Sequence, residues 1–262
     1  MKNIFQIILF SLFLYSCEDI IEVELRSSEP AIVIEGIINN DSGPYQVRIT
    51  RSTDFYDPGI YPGVENALVQ INDDQGNFEV LREDSPGLYL AENIVGSEES
   101  KYALNVTLEG EDYYAESIMP NAVPIDSLEV EIFPGGSFFE EGYIIHCFFS
   151  DPSETGNNYR LIAYHNGVND GNFYLADDKF TNGNTMELLI FSQGIAPGDT
   201  MVVELHSIDE HVYDYYNTLA LIVTEQGGGN PANPGNPITN LSNGSLGYFG
   251  ALAISRSTIV IQ

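Results

Sequence analysis

Ala31-Ile-Val-Ile-Glu-Gly-Ile-Ile-Asn39, followed closely by Tyr45-Gln-Val-Arg-Ile-Thr50, is the stretch that decides the fold. The first segment is a short apolar run rich in β-branched residues. The second alternates Tyr, Val and Ile against Gln, Arg and Thr, the two-residue period of a strand with one buried face. The pattern continues outward. Ala67–Ile71 and Phe78–Leu81 flank Asn72-Asp-Asp-Gln-Gly76, a hairpin loop with glycine where a positive φ is wanted. Gly87–Ala91, Lys101–Leu108 and Tyr113–Ile118 follow at similar spacing, with Glu109-Gly-Glu-Asp112 as a tight turn. Short strands at this spacing predict an immunoglobulin-like β-sandwich over residues 31–120. The chain has no tryptophan, so the Cys–Trp–Cys core of true immunoglobulin domains is absent and the reading rests on spacing.

Pro120-Asn-Ala-Val-Pro124 marks a boundary, because two prolines bracket a segment that cannot be helical. Beyond it, Ser127–Phe133, Gly142–Ser150, Tyr159–Tyr164 and Met201–Leu205 predict a second β-rich domain over 121–262. That domain carries one amphipathic helix near 208–226. Ser207-Ile-Asp-Glu210 reads as a capping box. Val212, Tyr216, Leu219, Ala220 and Val223 recur at helical spacing, and Gly227-Gly-Gly229 ends the run. Its tyrosines at 213, 215 and 216 read as the edge of a core rather than a ligand box. Leu246–Ile254 and Ser257–Ile261 read as terminal strands. The whole is mainly β.

Across 262 residues, nine Lys+Arg against 39 Asp+Glu give a formal charge of −30. That excludes nucleic-acid binding by counterion release, and docking on anionic lipid through a basic patch. The 43% apolar content is ample for a packed core.

Residues 1–16 read as a signal peptide. Lys2 precedes the apolar Ile4–Tyr15, a run shorter than the ~20 residues of a membrane span. It ends in Leu14-Tyr-Ser-Cys17, the pattern of a bacterial lipobox, with Tyr15 bulkier than usual; ordinary secretory cleavage is the alternative. In the lipoprotein reading Cys17 is acylated through its sulfur and residues 17–30 form an acidic tether. Of the two cysteines only Cys147 then remains as a thiol, so no disulfide framework exists. Cys147 lies in Tyr143-Ile-Ile-His-Cys-Phe-Phe149 as a small hydrophobe, and on a strand His146 points away from it.

Motifs that carry chemistry are missing. His146, His165, His206 and His211 form no His-Glu-x-x-His, and there is no Cys-x-x-Cys, so no transition-metal site is expected. Asn243-Gly-Ser-Leu-Gly247 is the nearest approach to a nucleophile elbow, but its first position is Asn and no strand precedes it. Asn72-Asp-Asp74 and Asn169-Asp170 with Asp177-Asp178 offer oxygens for calcium. These residue types also simply make turns, the reading adopted here. No catalytic residue, metal or cofactor is expected.

The chain resembles the outer-membrane lipoproteins of Bacteroidota that carry domain of unknown function 4249. The likeness runs through Cys17-Glu-Asp-Ile-Ile-Glu-Val-Glu-Leu25, Ile32-Val-Ile-Glu-Gly-Ile-Ile-Asn39, Pro124-Ile-Asp-Ser-Leu128 and Gly198-Asp-Thr-Met-Val-Val-Glu-Leu205. Its most specific part is the tail, that last segment together with Ser207-Ile-Asp-Glu210 and Asn236-Pro-Ile-Thr-Asn-Leu-Ser-Asn-Gly-Ser-Leu-Gly-Tyr-Phe249. The resemblance implies no catalytic residue. It implies a non-enzymatic, lipid-anchored outer-membrane protein, accessory to or capturing substrate for a TonB-dependent transporter; a structural or adhesive envelope module is the alternative. Glu18 and Asp19 resemble the signal that sends such lipoproteins to the cell surface, the periplasmic face being the other placement. Asp126-Ser127-Leu128 and Asp199-Thr200-Met201 resemble short O-glycan acceptors, making Ser127 and Thr200 candidate sites. Finally, the Gly/Pro-rich loop and the Asn-rich segment after it, with Asn230, Asn233, Asn236 and Asn240, form a candidate polar contact surface in an otherwise acidic protein.

Overall fold

Alternation sets the first layer. In the computed structural model, β1 (Ile32–Asn39) buries Ile32, Ile34 and Ile38 and turns Glu35 outward, while β2 (Tyr45–Arg51) buries Tyr45, Val47 and Ile49. The structure describes residues 30–53, 59, 61–135, 141–192, 194–225 and 235–262. Six further strands complete the N-terminal half: β3 (Leu68–Asp73), β4 (Phe78–Val80), β5 (Arg82–Ser85), β6 (Leu88–Ala91), β7 (Lys101–Leu108) and β8 (Glu111–Ile118). They pair in the orders β1-β2-β6-β5 and β4-β3-β7-β8. That is the ABED and C′CFG arrangement of an immunoglobulin sandwich, as the strand spacing predicted. Tyr102, at the start of β7, accepts a hydrogen bond from Ser97 N at 2.7 Å through its hydroxyl. This is the position and bonding of a tyrosine corner. β5 is the strand that sequence reading passed over, since Arg82-Glu-Asp-Ser85 has no apolar residue; it forms by pairing with β6.

The C-terminal half contributes β9 (Ile125–Phe133), β10 (Gly142–Ser150), β11 (Asn158–His165), β12 (Val168–Asn169), β13 (Tyr174–Asp177), β14 (Thr185–Ser192) and β15 (Thr200–Ile208). After the helix α1 (Glu210–Glu225) comes β16 (Leu246–Val260). β14, β10 and β9 make a three-stranded sheet. The two terminal strands read from the sequence are one strand of 15 residues. Its first half runs parallel to β1, from Val33↔Leu246 to Asn39↔Leu252, and its second half runs antiparallel to β15. β16 therefore fuses the two halves into one nine-stranded sheet, β12-β11-β15-β16-β1-β2-β6-β5 with β13 also on β11. The Pro120–Pro124 segment separates the strand sets, and β16 serves both.

Side-chain parity along β16 sorts the cores. Phe249, Ala251 and Ala253 face the N-terminal sandwich, with Val69, Ile71 and Leu104 opposite. Ile259 and Ile261 face the C-terminal one, with Ile145, Cys147 and Phe149 opposite. Tyr248 and Leu252 point to the other side, where α1 packs through Val212, Tyr215 and Tyr216. Both smaller sheets thus cover one face of the large sheet and the helix covers part of the other. Val223, predicted on the helix's packed stripe, is 53% exposed. The contacts of α1 are concentrated in its first turns, and its last turn runs past them. Among the described residues no helix is long and apolar enough to cross a membrane.

Candidate binding cleft beside the helix

The position of α1 is set by the residue just before it, and by a different side chain from the one predicted. Ser207 is not the cap. It belongs to β15, paired with Tyr159 and Ala253, and its hydroxyl accepts from Val123 N at 3.3 Å. Asp209 caps instead, with Oδ1 accepting from Val212 N at 2.9 Å. Its second oxygen accepts from Ser117 Oγ at 2.6 Å and Ile118 N at 3.0 Å, while Ser117 Oγ itself accepts from Ala251 N at 2.8 Å. One carboxylate therefore fastens the helix to β8 and, through Ser117, to β16.

Tyr215 and Tyr216 then fall on Tyr248, with ring centroids 4.5 and 5.2 Å away, and the Tyr216 and Tyr248 hydroxyls are hydrogen-bonded. Burial is the main cause that pushes the Tyr215 phenol up to about 12; the Glu35 charge adds to it. Arg160 lies 3.8 Å from the centre of the Tyr216 ring. The tyrosines are core, as the sequence indicated.

Because α1 packs on β16, β11 and β13, it leaves the same sheet face over β1 and β2 uncovered among the described residues. A cleft of about 360 Å³ lies there. One end of it is a cross-strand row, Arg48 on β2, Glu35 on β1 and Tyr248 on β16. The neighbouring row supplies Gln46 and Ile37, and Asn39 lies one step further along β1. Arg48 and Glu35 are exposed and directly opposed in register, yet the structure records no ion pair between them. This is unusual for the molecule. Arg51, Arg82, Lys101, Lys179 and Arg256 each pair with a carboxylate, and Arg160 is stacked on Tyr216. Among the described residues, Arg48 is the basic side chain with neither.

On the same sheet face, beyond the helix, the charges are fully engaged. Arg256 bonds both Asp41 oxygens, at 3.0 and 2.5 Å, and donates from Nε to Glu204 at 2.7 Å. His206 Nε2 donates to Glu204 at 3.1 Å. The hydrogen bond from His206, with that from Arg256, holds the Glu204 carboxyl down at about 2. Burial outweighs that partner for His206 itself and pushes its pKa down, so the ring is neutral at pH 7 and donates from Nε2. Its Nδ1 is buried without a partner.

The residues singled out from the sequence fall in separate places. Cys17, Glu18, Asp19, Asn230 and Asn233 lie outside the described residues. Asn236 is exposed. Asn240 is structural: its amide donates to Glu116 O at 3.1 Å and Phe249 O at 2.8 Å and accepts from Phe249 N at 3.1 Å, tying the segment to β8 and β16. It has no donor left for an outside ligand. Ser127 is exposed on β9, with Asp126 accepting from Ser150 Oγ at 2.8 Å. Thr200 is half-buried at the start of β15. Asp199 beside it accepts from Asn166 Nδ2, His165 Nε2 and Ala196 N, each at 2.8 Å, which holds its carboxyl at about 2. Cys147 is in the core, and burial pushes its thiol up to about 12. His146, on the opposite face of β10, bridges Glu187 at 2.5 Å and Glu131 at 3.0 Å.

The segments weighed for calcium use their oxygens on the chain. Asp73 accepts from Gln75 N and Asn77 N, and Asp178 from Gly156 N and Asn157 N. Among the described residues no group of three or more His, Cys, Asp or Glu is placed to share a metal ion. The cleft was missed from sequence. The alternation of 45–50 does put Gln46 and Arg48 on the polar side of β2, but what leaves them uncovered is the course of α1.

A protein-family model described as Domain of unknown function (DUF4249) matches residues 18–258. A search of curated proteins gives no match.

Proposed function

From the premise that the chain belongs to the Domain of unknown function (DUF4249) family, whose description assigns no activity, we propose a non-catalytic capture protein. It is anchored through acylated Cys17 in the outer membrane of a bacterium of the Bacteroidota, faces the cell exterior, and serves a TonB-dependent transporter. The observation that carries this reading is the open cleft over β1 and β2. There Arg48, Glu35 and Gln46 stand on paired strands, and among the described residues their side chains make no hydrogen bond or ion pair. Groups placed on strands and unused by the structure suit binding. The burial of Cys147 in the core favours binding over nucleophilic chemistry at that thiol.

Two chains on the Cys17 sulfur and a third on its amine hold far more firmly than a single acyl chain. Metabolic labelling with a fatty acid is expected to mark the wild type and not Cys17→Ala. On intact cells the protein is expected to be cleaved by added protease. Glu18→Ala with Asp19→Ala should reduce that cleavage while leaving total protein unchanged. Equal labelling of both proteins would remove the anchor, and no cleavage of the wild type would place it on the periplasmic face and end the capture reading.

A further inference from the structure

We infer that the cleft binds a small zwitterion of the amino-acid class, its carboxylate on Arg48 and its ammonium on Glu35. The inference rests on the capture reading above and names the chemistry of its ligand.

The argument starts from charge. In a chain of formal charge −30 an arginine has carboxylates in every direction, and the other described basic side chains have found one or lie on an aromatic ring. Arg48 has a carboxylate directly opposite in the β1/β2 register, and the two are not joined. A guanidinium left open this way presents a planar fork of donors to whatever enters the cleft, and a carboxylate fits that fork with two hydrogen bonds. An anion alone would meet the repulsion of Glu35 in the adjacent position. A cation alone would meet Arg48. A ligand carrying both signs on neighbouring atoms satisfies both side chains, and the α-ammonium and α-carboxylate of an amino acid are such a pair.

The rest of the lining agrees. Ile37 and Pro44 give an apolar wall for a side chain, and Gln46 and Asn39 offer amides at the rim. A volume of about 360 Å³ lies near the lower end of ~300–1,000 Å³ for ligand sites, which suits a molecule of this size.

Calorimetry on the purified full-length protein in detergent tests this with L-phenylalanine, N-acetyl-L-phenylalanine and L-phenylalanine amide. The free amino acid is expected to bind about tenfold or more tightly than either blocked form, since each loses one charge-assisted contact. Arg48→Gln should erase the preference for phenylalanine over its amide, and Glu35→Gln the preference over the N-acetyl form. Both residues are exposed, so thermal midpoints equal to wild type should accompany these losses. Equal affinity for all three probes, no binding of any of them at millimolar concentration, or a preference that survives Arg48→Gln would overturn the inference. Calorimetry needs neither anchor nor transporter. Selective binding by a protein that proves periplasmic would sustain the ligand class while removing the surface reading, and surface exposure without binding would do the reverse.

Discussion

Replacing Asp209 by Ala removes three hydrogen bonds at the one point where helix, second sheet and shared strand meet. Loss of an N-cap costs about 1 kcal/mol. The Ser117 hydroxyl, 2% exposed, loses its acceptor in a place water does not reach, at about 1–2 kcal/mol. Ile118 N also loses its acceptor, but it lies on an exposed residue of β8 where water can substitute, so its share is a few tenths. The expected total is about 3 kcal/mol. With a urea m-value of ~3 kcal/mol/M for a chain of this size, the midpoint should fall by about 1 M. Asp209→Asn keeps an acceptor for the cap and should lose only about 1 kcal/mol. Ser207→Ala gives up only the 3.3 Å bond from Val123 N and should cost less than Asp209→Ala. Urea unfolding followed by tyrosine fluorescence and by far-ultraviolet circular dichroism measures all three. A midpoint for Asp209→Ala within 0.3 M of wild type (roughly 1 kcal/mol at that m-value), or a larger loss for Ser207→Ala, would refute the assignment of Asp209 as cap and clasp.

The Glu204 carboxyl lies at about 2 in the fold against an ordinary value of 4.5, so it stabilises the fold above pH 4.5 and that contribution disappears as pH falls through about 2. It is expected to amount to roughly 2–3 kcal/mol, and Glu204→Gln should flatten the acid limb of stability against pH over that window; an unchanged limb would contradict the network. Asn240→Ala should lower the thermal midpoint by several degrees, through about 2 kcal/mol of lost hydrogen bonds, whereas Asn236→Ala should leave it unchanged; differential scanning calorimetry separates the two. Cys147 should resist a maleimide at pH 7.5 in the native protein and react fully in urea, as read by peptide mass; ready native labelling would mean the thiol is not in the core.

Period-two alternation made much of the sandwich legible, because a strand with one buried face writes its burial into the chain. β1, β2, β7 and β8 stood out for that reason. β5 did not, since its four polar residues gain their conformation from β6 rather than from burial of their own. β14 went unread although Met186 and Ile190 alternate with exposed neighbours, a signal of the same kind that could have found it. The single strand β16 was read as two because Ser255, Arg256 and Ser257 interrupt the apolar run. They stay in the ladder by pairing with Leu205, Glu204 and Val203. Ser207 and Asp209 are both ordinary capping residues, and the choice between them depended on how far β15 continues. The cleft was legible in its parts but not as a site. Glu35 interrupts an apolar strand and Arg48 lies on the polar side of the next, but their standing open together follows from where a helix far downstream comes to rest.

Capture for a transporter makes one demand that an adhesive or structural module does not. Under that proposal the native protein must hold a large β-barrel partner. Affinity isolation of the tagged full-length protein from gently solubilised outer membranes, with the partner identified by mass, tests this directly. A TonB-dependent β-barrel is expected to co-purify in near-stoichiometric amount with wild type and with Arg48→Gln alike, since the cleft is proposed to bind solute rather than the barrel. Isolation of the protein alone from the same membranes would contradict the capture proposal and leave an envelope module as the better description.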